Sequence, residues 1–209
     1  MTRIRASGVR VTVGPSWARY TPTGQLLAPA PPPGDAPRFR KCFGHTRIGM
    51  VAGRSHSLAG AARVHGYRAA LEEARIAYDP AIVRSTDFDY AEALAAGLQI
   101  LRADDPPTAV FAASDAQALG VLEAARRHGL AVPGDLAVMS FDDTLVAAMA
   151  CPPLSAVRQP FEELGREATR VLLDLSQGRP PASPRIELAT ELVLRTSTTT
   201  RRTQAHAGG

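Results

Sequence analysis

The stretch Val132 to Asp143, VPGDLAVMSFDD, constrains the fold more than any other part of the chain. Within it, Leu136 to Phe141 is a short, mostly apolar run that follows a Pro-Gly-Asp turn and ends at two adjacent carboxylates, Asp142 and Asp143. Such a run is typical of a strand buried on both faces of a parallel sheet. Because ligands of open α/β sheets bind beyond the carboxyl ends of the strands, the acidic pair lies where a ligand would be held.

Strand and helix patterns alternate before this stretch. We predict strands at Arg47–Gly53, Ala81–Thr86, Thr108–Ala113 and Leu136–Phe141, and helices at Leu58–Ala74, at Tyr90–Leu101 and from a cap at Ser114 or Asp115 to His128. Four strands that alternate with three helices imply βαβ units joined by right-handed crossovers. The predicted fold class is therefore α/β, a parallel sheet with helices on both faces.

After Asp143 the pattern is looser. Cys151 to Pro160 is predicted to be an extended connection punctuated by prolines, and Phe161 to Leu175 a helix with one apolar face. A final strand is predicted at Arg185–Thr196. The polar tail, Ser197–Gly209, is predicted to be disordered.

The amino-terminal segment has a different composition. Residues 1 to 45 carry seven Lys or Arg and one acidic residue, a net charge of +6, whereas the remainder carries −2. Seven of the 17 prolines also lie before residue 41. We therefore expect residues 1–43 to be a Pro-rich basic arm, with at most one short strand in IRASGVRVTVG, and residues 44–196 to be folded. The arm is either a nucleic-acid-binding segment or the remnant of a truncation or shifted reading frame.

Cysteine use and hydropathy indicate the compartment. The chain has two cysteines outside any metal-ligand spacing, and its first residues lack the apolar core of a secretory signal. No apolar run approaches the roughly 20 residues needed to span a bilayer. A soluble protein of the reducing cytoplasm, without membrane contact, is expected.

Motifs for common enzyme chemistry are missing from the sequence. There is no GxxxxGK[ST] loop, no HExxH, no CxxC and no GxSxG, and the single lysine, Lys41, lies outside the predicted sheet. We therefore expect neither catalysis nor a cofactor. The catalytic alternative is a hydrolase that uses Asp142 and Asp143 with a metal ion.

Five residues remain at strand ends or in first helix turns: Arg63, Phe88, Ser114, Asp115 and Asp142. Carboxylates accept hydrogen bonds from vicinal hydroxyls, arginine donates in a fork, and an aromatic ring offers an apolar platform. This set suits a sugar or another small polar ligand. A purely structural interpretation also exists: Asp115 as a helix cap, Arg63 as a solvated residue and Phe88 as core.

Longer segments carry a family resemblance. GHTRIGMVAG, RVHGYRAALEEARI, AVFAASDAQALGVLEAARRHGLAVPGDLAVMSFDD and PPLSAVRQPFEELGREATRVLLDL together resemble the effector-binding core of LacI/GalR-type transcriptional regulators. The resemblance runs from about Phe43 to Thr196. It implies one lobe of a periplasmic-binding-protein-like sensor, an effector bound in a cleft, and homodimerisation.

The resemblance also assigns the five residues. It places Arg63, before the GY pair, Phe88, after the second strand, Ser114 and Asp115, in the ASDAQALG motif, and Asp142, at the end of the fourth strand, against the effector. A sugar or a nucleobase-like molecule is the expected ligand. A free-standing solute-binding protein of the transport type is the alternative.

The sequence departs from the family at its amino-terminal side. It shows neither the helix-turn-helix nor the hinge helix that contact DNA, and the Pro-rich arm replaces the amino-terminal sensor lobe. We therefore expect no operator binding by this chain alone, and only weak effector binding. The helix at Phe161–Leu175 packs on that lobe in relatives, so its apolar face needs another partner here.

Overall fold

A computed structural model describes residues 10–13, 19–20, 26–27, 44–54, 56–179 and 185–198. The strands are β1 (Arg10–Val13), β2 (Arg19–Tyr20), β3 (Leu26–Leu27), β4 (Ile48–Gly53), β5 (Val83–Thr86), β6 (Ala109–Ala112), β7 (Ala137–Asp142), β8 (Ser155–Arg158), β9 (Arg185–Leu188) and β10 (Glu191–Val193). The helices are α1 (Leu58–Glu73), α2 (Tyr90–Leu101), α3 (Asp115–Arg127), α4 (Leu145–Met149) and α5 (Phe161–Ser176), with 3-10 turns at Pro80–Ile82 and Thr196–Thr198.

A six-stranded sheet organises the molecule, with strands in the order β10-β8-β7-β6-β4-β5. The pairs of β4 with β5 and β6, and of β7 with β6 and β8, are all parallel. The four predicted strands and three predicted helices are β4, α1, β5, α2, β6, α3 and β7, so the predicted α/β class is confirmed.

Two hydrophobic clusters cover the two faces of this sheet. Val51, Val110 and Val138 belong to a cluster with apolar residues of α2 and α3. Met50 and Ala52 belong to the other cluster, with Tyr67 and Leu71 of α1. Alternate residues of β4 thus enter opposite clusters, as the period of two in a strand requires. The helices therefore lie on both faces, which agrees with the prediction from the apolar strand runs.

The structure corrects the prediction after Asp143. The proline-rich connection contains a true sheet strand, β8, which pairs with β7, and the short helix α4 precedes it. The predicted final strand is interrupted at residues 189–190: β9 pairs with β1, whereas β10 joins the six-stranded sheet. Ser197 and Thr198, assigned to the disordered tail, are buried in a 3-10 turn.

The described residues form two compact units. The larger unit contains residues 44–158 and 192–198, and hence the sheet core. The smaller unit contains the parallel pair β1–β9, the antiparallel pair β2–β3 and helix α5. On α5, Leu172 and Leu173 remain exposed while Val171 is buried.

Most of residues 1–43 and residues 199–209 lie outside the described part of the chain. The predicted disordered arm and tail, and the domain boundary at residue 43, therefore stay predictions. Among the helices of the described part, none has the length and apolar character needed to cross a membrane.

Candidate functional site

An ion pair lies at the carboxyl edge of the sheet. Arg63 projects from α1 and donates from Nη2 to Oδ1 of Asp142 at 3.2 Å. Its Nη1 donates to the backbone oxygen of Ala113, just beyond β6, at 2.5 Å. The side chains of Arg63 and Asp142 retain 12% and 20% of their exposure. One guanidinium thus joins α1 to the ends of β6 and β7, in a site that is mostly removed from water.

Two aromatic rings face the same guanidinium. The Arg63 Cζ atom lies 4.1 Å from the ring centroid of Phe141 and 5.4 Å from that of Phe88. Both distances are within the range of cation–π attraction, which strengthens as water is excluded. Burial lowers the pKa of the Arg63 guanidinium, and the carboxylates of Asp142 and Asp115 oppose this shift. The guanidinium stays charged at neutral pH, as arginine side chains do in proteins.

Phe88 lies against a position without a side chain. A Cβ atom built on Gly53, the last residue of β4, would come within 2.5 Å of the Phe88 ring. The glycine therefore makes room for the ring beside the strand end. Phe88 itself remains 40% exposed, so it is not a core residue and its ring can be reached from solvent.

Ser114 and Asp115 are buried at the start of α3. The Ser114 hydroxyl accepts from the backbone nitrogen of Gln117 at 3.2 Å and so caps the helix. Oδ2 of Asp115 accepts from the backbone nitrogen and hydroxyl of Thr144, at 2.7 and 2.8 Å. Oδ1 of Asp115 is buried and has no hydrogen-bond partner among the described residues. These two residues therefore hold the local fold, and Oδ1 of Asp115 remains a buried acceptor.

Asp143 serves a different set of partners from Asp142. Its buried carboxylate accepts from Nε of Arg158 at 2.7 Å and from Nη1 of Arg195 at 2.5 Å. Burial raises the pKa of Asp143, but the hydrogen bonds and charges of Arg195 and Arg158 outweigh this effect and lower it overall. Asp142 and Asp143 have φ values of 109° and 57°. Left-handed backbone of this kind is unfavourable for residues other than glycine and needs support from surrounding contacts.

The structure thus joins three of the five predicted residues by direct contact: Arg63, Phe88 and Asp142. Ser114 and Asp115 lie close by, but their hydrogen bonds to Gln117 and Thr144 stabilise the local fold. Sequence reasoning missed Phe141 and Gln117. Phe141 is the last apolar residue before the acidic pair, which is a usable signal, whereas Gln117 had no local signal. The role of all five residues in effector binding stays a prediction.

The side chains do not support the metal-dependent alternative. In the described ranges, no group of three or more His, Cys, Asp or Glu side chains is arranged to hold a metal ion. Asp143 pairs with Arg158 and Arg195, and Asp142 pairs with Arg63. Both carboxylates that suggested a metal site therefore form ion pairs with arginines, and these arginines belong to different segments of the larger unit.

A family comparison agrees with this architecture. Residues 41–198 match the model of the periplasmic binding protein-like domain, which is well over half of the chain. The chain belongs to the periplasmic-binding-protein-like family. Relatives within this family include LacI-type transcriptional regulators, so the resemblance that the sequence motifs indicate is confirmed.

Individual relatives are regulators rather than enzymes. The chain is 42% identical over 154 residues to the HTH-type transcriptional regulator CelR of Thermobifida fusca, covering 74% of this chain and 45% of CelR. A solved complex of CelR with cellobiose superposes with a TM-score of 0.73 at 42% identity, covering 78% of this chain and 49% of that one. A lac repressor dimer bound to operator and an anti-inducer gives a TM-score of 0.70 at 32% identity, with coverages of 76% and 54%. The chain spans about half the length of these relatives.

Proposed function

We propose that the chain is the effector-sensing domain of a LacI/GalR-like transcriptional regulator, and that it binds a small hydroxyl-rich molecule, a sugar in the first instance, at the edge formed by Arg63, Phe88 and Asp142. The observation that carries this proposal is the Arg63–Asp142 pair at the carboxyl ends of parallel strands. The complex of the relative CelR with cellobiose supports a sugar over a nucleobase.

The chemistry of the edge fits a ligand with many hydroxyls. Asp142 and the second oxygen of Asp115 are acceptors for hydroxyl protons, and Arg63 donates in return. The Phe88 ring offers an exposed apolar surface on which the C–H face of a sugar can pack. Arg63 already donates to two acceptors. A ligand hydroxyl would replace one of these contacts without leaving a buried group unpaired, so the exchange would cost little free energy.

Regulation would follow from differential binding. An effector shifts the equilibrium between arrangements of a regulator only by as much as its affinity differs between them. In a regulator of this type the operator is contacted by a helix-turn-helix, whereas residues 41–198 correspond to the periplasmic binding protein-like domain. A role in transcription would place the protein with the DNA, in the cytoplasm.

We propose further that the chain forms a homodimer, as the lac repressor structure does. A surface beside helix α3 supports this. It carries a partly apolar concavity of about 390 Å³. Its lining residues are Tyr90, Leu119, Leu122, Glu123, Arg126, Leu130, Val132, Cys151 and Pro152. In a two-fold dimer the same patch of both subunits meets, and a partly apolar surface is buried by such a contact.

Calorimetric titration with cellobiose, followed by other disaccharides, monosaccharides and nucleobases, tests the effector proposal. Arg63→Lys should weaken binding of the best ligand at least about tenfold, because lysine cannot donate in a fork or stack between two rings. Arg68→Lys is the matched control. Arg68 is also on α1, also stacks on a ring, that of Tyr78 at 4.5 Å, and also donates to it, but it lies outside the site.

Unchanged affinity in Arg68→Lys together with loss in Arg63→Lys would support the proposal. Equal losses in the two variants would show a general effect on α1 and contradict the assignment of Arg63. Binding of a nucleobase with no binding of any sugar would overturn the proposed ligand class.

A further inference from the structure

One fully buried side chain connects the segments that carry the site. Gln117 lies in the first turns of α3 and has no exposed surface. Its Nε2 atom donates to the backbone oxygen of Ala52, at the end of β4, at 3.1 Å. The same atom lies 2.8 Å from the Thr86 hydroxyl and 3.2 Å from the backbone oxygen of Asp87. Gln117 thus ties α3 to the ends of β4 and β5 and to the loop that presents Phe88.

The neighbouring groups determine which end of the Gln117 amide is the NH2 group and which is the oxygen. Two of the three groups near Nε2 are backbone carbonyl oxygens, which can only accept, so the NH2 group must face them. The Thr86 hydroxyl donates its proton to the oxygen of Asp87 at 2.8 Å and is therefore an acceptor toward Gln117 as well. The amide oxygen, Oε1, consequently faces the Ser114 hydroxyl at 3.2 Å.

This orientation decides what Ser114 can offer to a ligand. A serine hydroxyl has one proton and two lone pairs. The Ser114 proton is donated to Oε1 of Gln117, and one lone pair accepts from the backbone nitrogen of Gln117. A single lone pair remains. Ser114 can therefore accept a hydrogen bond from a ligand but cannot donate one.

We propose that Gln117 is a positioning residue of the effector site, which fixes the Phe88 loop against α3 and restricts Ser114 to accepting a hydrogen bond from a ligand hydroxyl. This inference rests on the proposed effector function and deepens it. With Asp142 and Asp115, Ser114 becomes a third acceptor, which leaves Arg63 as the donor of the set. Such a site selects ligands by the hydroxyl protons they donate and discriminates against analogues that can only accept.

Hydrogen exchange measured by mass spectrometry tests the positioning role without a ligand. Gln117→Met keeps the volume of the side chain but removes its hydrogen bonds. Backbone amides of residues 86–89 and 113–116 should exchange about tenfold faster in this variant, since about one net hydrogen bond is lost at each segment. Gln99→Met on α2 is the control, because Gln99 is also a helical glutamine, but its exposed side chain accepts from Arg84 and contacts neither the Phe88 loop nor Ser114.

Faster amide exchange in Gln117→Met that is confined to residues 86–89 and 113–116, with unchanged exchange in α1 and β7, would support the positioning role. Uniform acceleration across the larger unit would overturn it and leave Gln117 as an ordinary stabilising residue. If Gln117→Met does not fold, Gln117→Asn shortens the same amide by one carbon and should show the same confined pattern to a smaller extent.

Ligand analogues test the restriction on Ser114. The probes are cellobiose and its mono-deoxyfluoro derivatives, in which fluorine cannot donate a hydrogen bond. In the wild type, replacing the hydroxyl that faces Ser114 should weaken binding about tenfold. In Gln117→Met the Ser114 proton is released and can be donated to fluorine, so this penalty should shrink. A penalty of the same size in both proteins would overturn the restriction.

The two arms separate the failure of this inference from the failure of the proposed function. If neither cellobiose nor any sugar of the panel binds the wild type, the sugar-sensing function is wrong. Hydrogen exchange then still decides whether Gln117 positions the Phe88 loop. If cellobiose binds and exchange is uniform, only the role of Gln117 is wrong.

Discussion

At the scale of residues, Asp142 at the end of β7 and the adjacent Asp143 pair with different arginines. Asp142 pairs with Arg63 at the proposed effector edge, whereas Asp143 accepts from Arg158 and Arg195. The chain leaves the larger unit after Arg158 and returns to it at residue 192. Asp143 therefore pairs with arginines on both sides of the segment that belongs to the smaller unit, and it is adjacent in sequence to Asp142, which we propose faces the effector.

Asp143→Asn tests these ion pairs through the pH dependence of stability. The variant keeps the shape of the side chain but loses the charge, so the free energy of unfolding at pH 7 should fall by about 2 kcal/mol. Because the arginines lower the pKa of Asp143 in the folded state despite its burial, the contribution is present above the unfolded pKa and is lost as pH falls through the folded one. Urea denaturation should therefore show the difference from wild type shrinking below about pH 4.

Asp104→Asn, in the exposed loop before β6, is the control and should change the free energy of unfolding by less than about 0.5 kcal/mol. A difference for Asp143→Asn that stays constant between neutral and acidic pH would contradict an ionic contribution and indicate packing alone.

How much of the site could be predicted depends on how far apart in the sequence the interacting residues lie. Asp142 follows a buried strand directly, so its position at the sheet edge was readable from the local pattern. The contact of Arg63 with Asp142 spans 79 positions in the sequence, and nothing local in α1 distinguishes Arg63 from the exposed Arg68. The family resemblance supplied that choice. The hydrogen bonds of Gln117 depend on where three strand ends meet, which only the tertiary structure shows.

At the scale of elements, the close approach of α2 and α3 depends on glycine. A Cβ atom on Gly120 would lie 2.7 Å from the backbone nitrogen of Leu94 and 2.7 Å from the backbone oxygen of Tyr90. On the facing helix, a Cβ atom on Gly97 would lie 2.8 Å from the Ala124 side chain. The helices thus pack backbone to backbone at this crossing, which helps fix α3 and the Ser114–Gln117 turn at its start.

Gly120→Ala is expected to lower the free energy of unfolding by about 2 kcal/mol, because backbone atoms cannot yield to the new methyl group. The loss should appear even though alanine favours an isolated helix by about 1 kcal/mol over glycine. Gly165→Ala is the matched control, since Gly165 is exposed in α5 and a Cβ atom there would meet nothing within 4 Å. Urea denaturation should show the control equal to or slightly more stable than the wild type; equal effects would contradict tight packing at Gly120.

The elements that were predicted correctly have strong local patterns, and the missed ones do not. β4 and β7 are mostly apolar runs bounded by turn residues, and α2 is capped by Asp89, which accepts from Ala91 and Glu92. β8 lies among prolines, which argue against a central strand, but its ladder to β7 runs from Ser155 to Arg158, between Pro153 and Pro160. The final strand looked continuous because nothing in its hydrophobic pattern marks the point where β9 ends and β10 joins another sheet.

At the scale of the whole molecule, the proposed effector edge and the proposed dimer face lie on different parts of the larger unit. The proposed effector edge is formed by residues at strand ends, whereas the proposed dimer face is formed by Tyr90 at the start of α2, by residues of α3 and by the segments at residues 130–132 and 151–152. The same helix α3 contributes Ser114 and Gln117 to the first and Leu119 and Leu122 to the second. A shift of α3 on effector binding would therefore reach the second subunit without an intermediate element.

Sedimentation velocity tests the dimer face. The wild type is expected to sediment as a dimer at micromolar concentration, and Leu119→Arg as a monomer, because an unpaired charge in a desolvated patch costs several kcal/mol of association energy. Circular dichroism establishes that the variant is folded. Leu172→Arg, on the exposed side of α5, is the matched control and should remain dimeric. Dissociation by Leu172→Arg with a stable dimer in Leu119→Arg would contradict the proposed face and place the contact on α5 instead, where the apolar residues Leu172 and Leu173 are exposed.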